Sequence, residues 1–236
     1  MENSKLKPEV LMPHFVFLPG TLCDERVWKF QTQDFTDNTV VNLRTQNTQE
    51  AMLDAVNAVK RERFILVGFS MGGHIAQEFA LAYPQRVQHV ISIASSSEGY
   101  PKEEKEVSIK AKEFIKKGLF KGITDRRLKE FLHPKAYENQ ELRNLIHSMS
   151  GEDAAQVYLN QLDATLERRD LSDEIGSLKM PFTAIGGEDD KIVSKESILR
   201  IKDHHQAANI HIVPECGHFV PLEKPEVINE ILRSLF

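Results

Sequence analysis

The chain has 236 residues, 41% of them hydrophobic, and a formal net charge of −5. That is enough apolar material for a sizeable core. The acidic balance argues against binding nucleic acid or an anionic membrane, since either needs a basic footprint. No apolar run is long enough to span a bilayer, and the opening MENSKLKPEV has no signal-like apolar segment. Two cysteines, Cys23 and Cys216, read as free thiols in a reducing compartment rather than as a disulfide framework. The expectation is a cytoplasmic protein, monomer or homodimer, without stable membrane association.

In chain order, FVFLPG (15–20) is a short apolar run ending in Pro-Gly, which suits a buried strand and a tight loop. TVVNL (39–43) reads as a second strand. TQEAMLDAVNAVKRER (48–63) reads as a helix whose basic end complements its dipole. FILVGF (64–69) is a third strand, MGGHIAQEFALAY (71–83) a helix stopped before Pro84, and VQHVISIA (87–94) a fourth strand. PFTAIGG (181–187) and NIHIVPE (209–215) are the fifth and sixth. Helices at 194–205 and 225–236 follow them. Alternating strands and helices predict a mostly parallel sheet covered on both faces, with functional groups at the carboxyl ends of its strands.

Residues 97–179 break this rhythm, with no convincing strand. Val107, Ala111, Phe114, Ile115 and Leu119 fall at helical spacing on one face, and Leu128, Phe131 and Leu132 continue it. Some 80 residues are too many for a simple connection. The expected division is a core of residues 1–96 and 180–236 and a helical lid inserted at 97–179.

Gly68-Phe69-Ser70-Met71-Gly72 matches G-x-S-x-G, with a strand before it and a helix after. A sharp turn exposes the serine hydroxyl, and glycine on either side avoids collision with neighbouring backbone. The helix beginning there presents free N–H groups beside the reacting atom. A glycine-rich packing turn is the bland alternative.

A serine hydroxyl needs a base, and the base needs an orienting acid. Among nine histidines, His14, His74, His89 and His211 lie in strands or helices or at the wrong end of the sheet. His204 and His205 read as surface caps of a helix, and His133 and His147 belong to the insertion. His218, in VPECGHFVPLEKPE, follows the sixth strand directly and is the candidate base. Glu188, Asp189 and Asp190 after the fifth strand are the candidate acids, giving the order Ser, acid, His.

With these residues in view the chain resembles the α/β-hydrolase superfamily, in particular its short, lid-bearing carboxylesterases and the menaquinone-pathway hydrolase-like group. FVFLPGTLCDERVW, LVGFSMGGHIAQEFA, PFTAIGGEDDKIV and VPECGHFVPLEKPEVI carry the match, in family order. The resemblance implies an α/β-hydrolase fold of about six mostly parallel strands with a helical lid. It implies Ser70 as nucleophile, His218 as base, and Asp190, three positions after Gly187, as acid. It also implies the backbone N–H groups of Thr21 and Met71 as oxyanion donors. Two features depart from the family: Pro19 stands where a histidine is usual, and only about a dozen residues precede the first strand, too few for the usual opening hairpin.

Leu22, Trp28, Phe69 and Phe219 are candidates to line an acyl pocket, although core packing explains such residues as well. Cys23 and Cys216 read as small buried hydrophobes. No spacing resembles a metal site or a phosphate cradle, so no cofactor is expected. Residues 102–129 hold ten Lys or Arg against five Asp or Glu. Attraction of anionic substrates is one reading, and the solvated face of an amphipathic helix is the simpler one.

The sequence therefore points to a serine hydrolase acting on esters or thioesters of small to medium acyl groups, its partner a small-molecule substrate. Two alternatives stay open. One is a lyase or C–C hydrolase on the same residues, with Arg168 or Arg169 facing a substrate carboxylate. The other is a non-catalytic ligand-binding protein on the same scaffold.

Overall fold

The computed structural model describes residues 13–100, 102–120 and 122–236. The expected lack of an opening hairpin concerns residues 1–12 and so lies outside the described residues. In chain order the elements are β1 (Phe15–Leu18), a 3-10 turn (Glu25–Trp28), α1 (Lys29–Asp34), β2 (Asn38–Val40) and α2 (Gln49–Asn57). Next come β3 (Phe64–Phe69), α3 (Met71–Ala82), a second 3-10 turn (Pro84–Arg86) and β4 (Val87–Ile93). Between β4 and β5 the described elements are all helices: α4 (Lys102–Lys116), α5 (Asp125–Phe131), α6 (Pro134–Tyr137), α7 (Gln140–Ser150), α8 (Ala154–Thr165) and α9 (Ser172–Ile175). Then follow β5 (Phe182–Gly187), α10 (Lys195–His204), β6 (Asn209–Val213), α11 (Val220–Glu223) and α12 (Pro225–Arg233).

The six strands form one sheet in the order β2-β1-β3-β4-β5-β6. Every pairing is parallel, with Val67 of β3 opposite Phe17 of β1 and Ile91 of β4. Strands buried on both faces need apolar side chains pointing both ways. Phe15, Phe17, Ile65, Val67, Ile91 and Ile93 join a core with Trp28, Phe35, Ile228 and Leu232. The alternate residues Val16, Leu18, Phe64, Leu66 and Val90 pack on the other face against Met52, Val56, Ile75, Phe79 and Ile198. The insertion shares the first core through Leu128, Leu132, Leu142, Ile146 and Met149.

The strand order reverses between β1 and β3. Such a reversal is the usual place for ligands in an open α/β sheet. The loop after β1 and Ser70 after β3 leave the carboxyl ends of the two strands on either side of it.

Three expectations about elements are corrected. The helix expected over 48–63 ends at Asn57, so its basic residues lie beyond it. Arg86 takes the carbonyls there, donating to Asn57, Val59, Arg61 and Glu62 at 2.7–3.2 Å. The face expected to run from Val107 to Leu119 is not buried as one: Ser108 and Ile115 turn inward, while Val107, Phe114 and Leu119 are exposed. His205 does cap α10, its N–H donating to the Ile201 carbonyl, but not at the surface: it is buried with its ring 5.7 Å from Phe182. Among the described residues no helix is long and apolar enough to cross a membrane.

Candidate active site

β3 delivers Ser70 into a backbone conformation of φ 52° and ψ −116°. Its N–H donates to the Ile93 carbonyl at 2.8 Å, and its own carbonyl accepts from Gly73 and His74 as α3 begins. The flanking glycines are required by close approach. A Cβ on Gly68 would stand 2.2 Å from the Gly72 carbonyl oxygen, and one on Gly72 would stand 2.3 Å from that of Leu18. The strand and helix thus touch backbone to backbone, and the serine is held at the apex.

The hydroxyl of Ser70 lies 3.0 Å from Nε2 of His218, whose Nδ1 lies 2.8 Å from Oδ2 of Asp190. The other Asp190 oxygen accepts from the N–H groups of Ile192 and Val193 at 2.8 and 3.0 Å. A carboxylate facing Nδ1 accepts its proton, so the tautomer leaves Nε2 as the acceptor for the serine hydroxyl. Asp190 and His218 are buried, and Ser70 remains partly exposed. Of the neighbouring acids, Glu188 pairs with Lys195 at 3.5 Å and Asp189 stands 3.8 Å from His133. Neither reaches the imidazole.

The loop after β1 lies against the serine, since a Cβ on Gly20 would meet Ser70 Cβ at 3.2 Å and the Phe69 ring at 2.8 Å. The turn closes through Cys23 N–H to the Gly20 carbonyl at 3.1 Å, with Leu22 at φ 59°. The N–H groups of Thr21 and Met71 donate to no other described residue. Pro19 therefore does not keep this turn from forming.

Phe69 and Phe219 are buried around His218, their rings 5.2 and 6.1 Å from the imidazole. Leu22 packs with Ala154 and Val157 of α8. Trp28 is fully buried, 5.0 Å from the Phe17 ring in the core. Cys23 and Cys216 are buried free thiols; burial pushes Cys23 up to about 12 and Cys216 higher still. Among the described residues no cluster of His, Cys, Asp and Glu could hold a metal ion.

Two residues escaped the sequence reading. Gln161 of α8 accepts from Leu22 N–H at 2.9 Å and donates to the Leu43 carbonyl at 3.0 Å, anchoring the loop after β1. Glu223 of α11 takes N–H groups on either side of His218. The two arginines also part company. Arg169 pairs with Glu78 and Glu174, whereas Arg168 lies 4.1 Å over the Tyr100 ring with no carboxylate partner among the described residues.

This fold and site define a class, and the family comparison agrees: residues 15–231 match the alpha/beta hydrolase family, and the chain belongs to it. It is an enzyme of that family. It is 26% identical over 196 residues to a 2-hydroxy-6-oxononadienedioate/2-hydroxy-6-oxononatrienedioate hydrolase of Paraburkholderia xenovorans, covering 80% of this chain and 67% of the relative. It is also 26% identical to a pimeloyl-[acyl-carrier protein] methyl ester esterase of Aeromonas hydrophila, over 77% of this chain and 74% of that one. Other oxononadienedioate hydrolases are matched over 60–61% of their length. Among solved structures, a thermophilic esterase from Thermogutta terrifontis superposes with a TM-score of 0.81 at 22% identity, over 95% of this chain and 89% of the other.

Proposed function

We propose that this chain is a serine hydrolase cleaving ester or thioester bonds of small to medium acyl substrates through an acyl-enzyme. The observation that carries the reading is the unbroken line from Ser70 Oγ to His218 to Asp190, at 3.0 and 2.8 Å, at the strand-order reversal. Ser70 attacks the acyl carbon as His218 Nε2 takes its proton. The same proton then goes to the leaving alcohol or thiol. Asp190 holds the tautomer and steadies the imidazolium. The N–H groups of Thr21 and Met71 receive the oxyanion; one such donor is worth about 100- to 1000-fold in rate. A water activated by His218 releases the acid. Residues 97–179 act as the lid over a core of 1–96 and 180–236, and the cytoplasm is the compartment that suits the two free thiols.

Arg168 favours a second reading. An arginine without a carboxylate partner among the described residues suits an acidic substrate, and a C–C hydrolase or lyase would use the same three side chains on it. The dioate named for the Paraburkholderia relative is of that chemistry.

Steady-state hydrolysis of p-nitrophenyl esters of increasing acyl length, with Ser70→Ala alongside, tests the proposal. The expected result is turnover by the wild type and a loss of about 10⁴-fold or more in the variant. An enzyme inert on every ester whose Ser70 still reacts with a fluorophosphonate moves the choice to the second reading. No turnover and no labelling would leave only ligand binding.

A further inference from the structure

Glu223 gathers backbone donors from two distant parts of the chain. Its Oε2 accepts from Gly217 N–H at 3.0 Å and from His133 N–H at 2.9 Å, and its Oε1 accepts from Phe219 N–H at 2.9 Å. Gly217 and Phe219 flank His218, while His133 caps α6 in the insertion. The same loop meets the insertion again through His218 N–H, which donates to the Phe131 carbonyl at 2.6 Å, and the Phe131 ring stacks 5.8 Å from the imidazole. The approach is so close that a Cβ on Gly217 would stand 2.4 Å from the Phe131 oxygen and 2.6 Å from the His133 nitrogen.

We propose that Glu223 is a positioning residue, a latch that fixes the loop bearing His218 to the 131–133 segment of the insertion, so that the imidazole keeps its line to Ser70 only while that segment is in place. The proposal rests on the reading of Ser70, His218 and Asp190 given above. A loop has no ladder of its own to hold a side chain within the few tenths of an ångström that proton transfer needs. Two carboxylate oxygens facing three N–H donors supply that hold. Glutamine would turn an amide N–H₂ on one of those donors, and aspartate falls a methylene short. Burial raises the Glu223 carboxyl above its ordinary range, while the three N–H groups and His218 oppose that rise. Because one of the three donors belongs to residue 133, the placing of the base depends on the placing of that segment.

Wild type and Glu223→Gln are compared by fluorophosphonate labelling of Ser70, by kcat and KM on p-nitrophenyl acetate, and by the downfield NMR proton on His218 Nδ1. The variant should label and turn over at least about tenfold more slowly, with KM nearly unchanged and the Nδ1 proton broadened. If Glu223→Gln does not fold, His133→Pro carries the test. Residue 133 has φ −59° and Leu132 before it is extended at ψ 145°, so proline suits the backbone while deleting the insertion's one N–H to the carboxylate. Lys135→Ala, which breaks the exposed pair with Glu215 between the same two segments, should label at the wild-type rate. A folded Glu223→Gln or His133→Pro that labels like wild type, or slows only as its folded fraction falls, overturns the latch and leaves the reading of Ser70 standing. A wild type that no fluorophosphonate labels removes that reading and the latch together.

Discussion

Ser70 occupies a backbone conformation that a side chain resists, at φ 52° and ψ −116°. Such a residue stores about 1–3 kcal/mol, repaid here by the bonds that begin α3 and by the one to Ile93. Glycine adopts that conformation freely but loses more entropy on folding, by about 0.5–1 kcal/mol. Ser70→Gly should therefore be more stable than Ser70→Ala by about 1 kcal/mol in urea unfolding, both being inert as hydrolases. Equal stabilities would mean that the turn is not strained. Ser70 and His218 were legible because local pattern marks them: glycines at fixed offsets, and a histidine just past a strand end. Glu223 was not. Its donors come from residues 133, 217 and 219, and nothing in LEKPE says that the acid turns inward. The choice between Arg168 and Arg169 was equally closed, because Glu78, which claims Arg169, lies about 90 residues away in the chain.

Elements with strong periodicity and plain stops were read almost to the residue, β3 and α3 above all. Reading failed where a distant side chain decides. Arg86 ends α2 by taking carbonyls that a longer helix would have used. In the insertion, packing on neighbouring helices rather than apolar spacing sets which side of α4 is buried: Lys112 pairs with Asp163 and Lys105 with Glu167 of the α8 region. α8 in turn supports the site through Gln161. Replacing Gln161 by leucine leaves the buried Leu22 N–H and Leu43 carbonyl without their partners, each about 1–3 kcal/mol if unmet. Gln161→Leu should lose about 2–4 kcal/mol of stability and, where folded, lower kcat more than KM, because the turn bearing the Thr21 N–H loosens. A variant as stable and active as wild type would remove α8 from any part in shaping that turn.

The molecule as a whole buries both faces of a parallel sheet, and in doing so it encloses histidines in their neutral form. Burial holds His74 of α3 down to about 3, with Arg168 adding to the effect, and holds His89 of β4 down to about 4. In the unfolded chain both titrate near 6.5. Between that value and their folded values the unfolded state binds the extra protons, so stability falls as pH falls through this window. Each such histidine removes about 1.4 kcal/mol per pH unit well below 6.5. Glu78 and Glu223 act in the opposite sense. Burial raises their carboxyls, so protonation relieves the folded state as pH drops toward their folded values. Together these two histidines contribute a loss of about 2–3 kcal/mol from pH 7.5 to 5.5, against which the carboxyls act. The size of that offset does not matter when two proteins sharing it are compared. His74→Gln, which cannot take up the proton, should lose about 1.4 kcal/mol less than wild type over the same interval, whatever its stability at pH 7.5. Urea unfolding of both proteins at the two pH values measures this difference directly. Parallel losses would mean that His74 accepts a proton in the folded state, and hence that water or a counter-charge reaches its ring in α3.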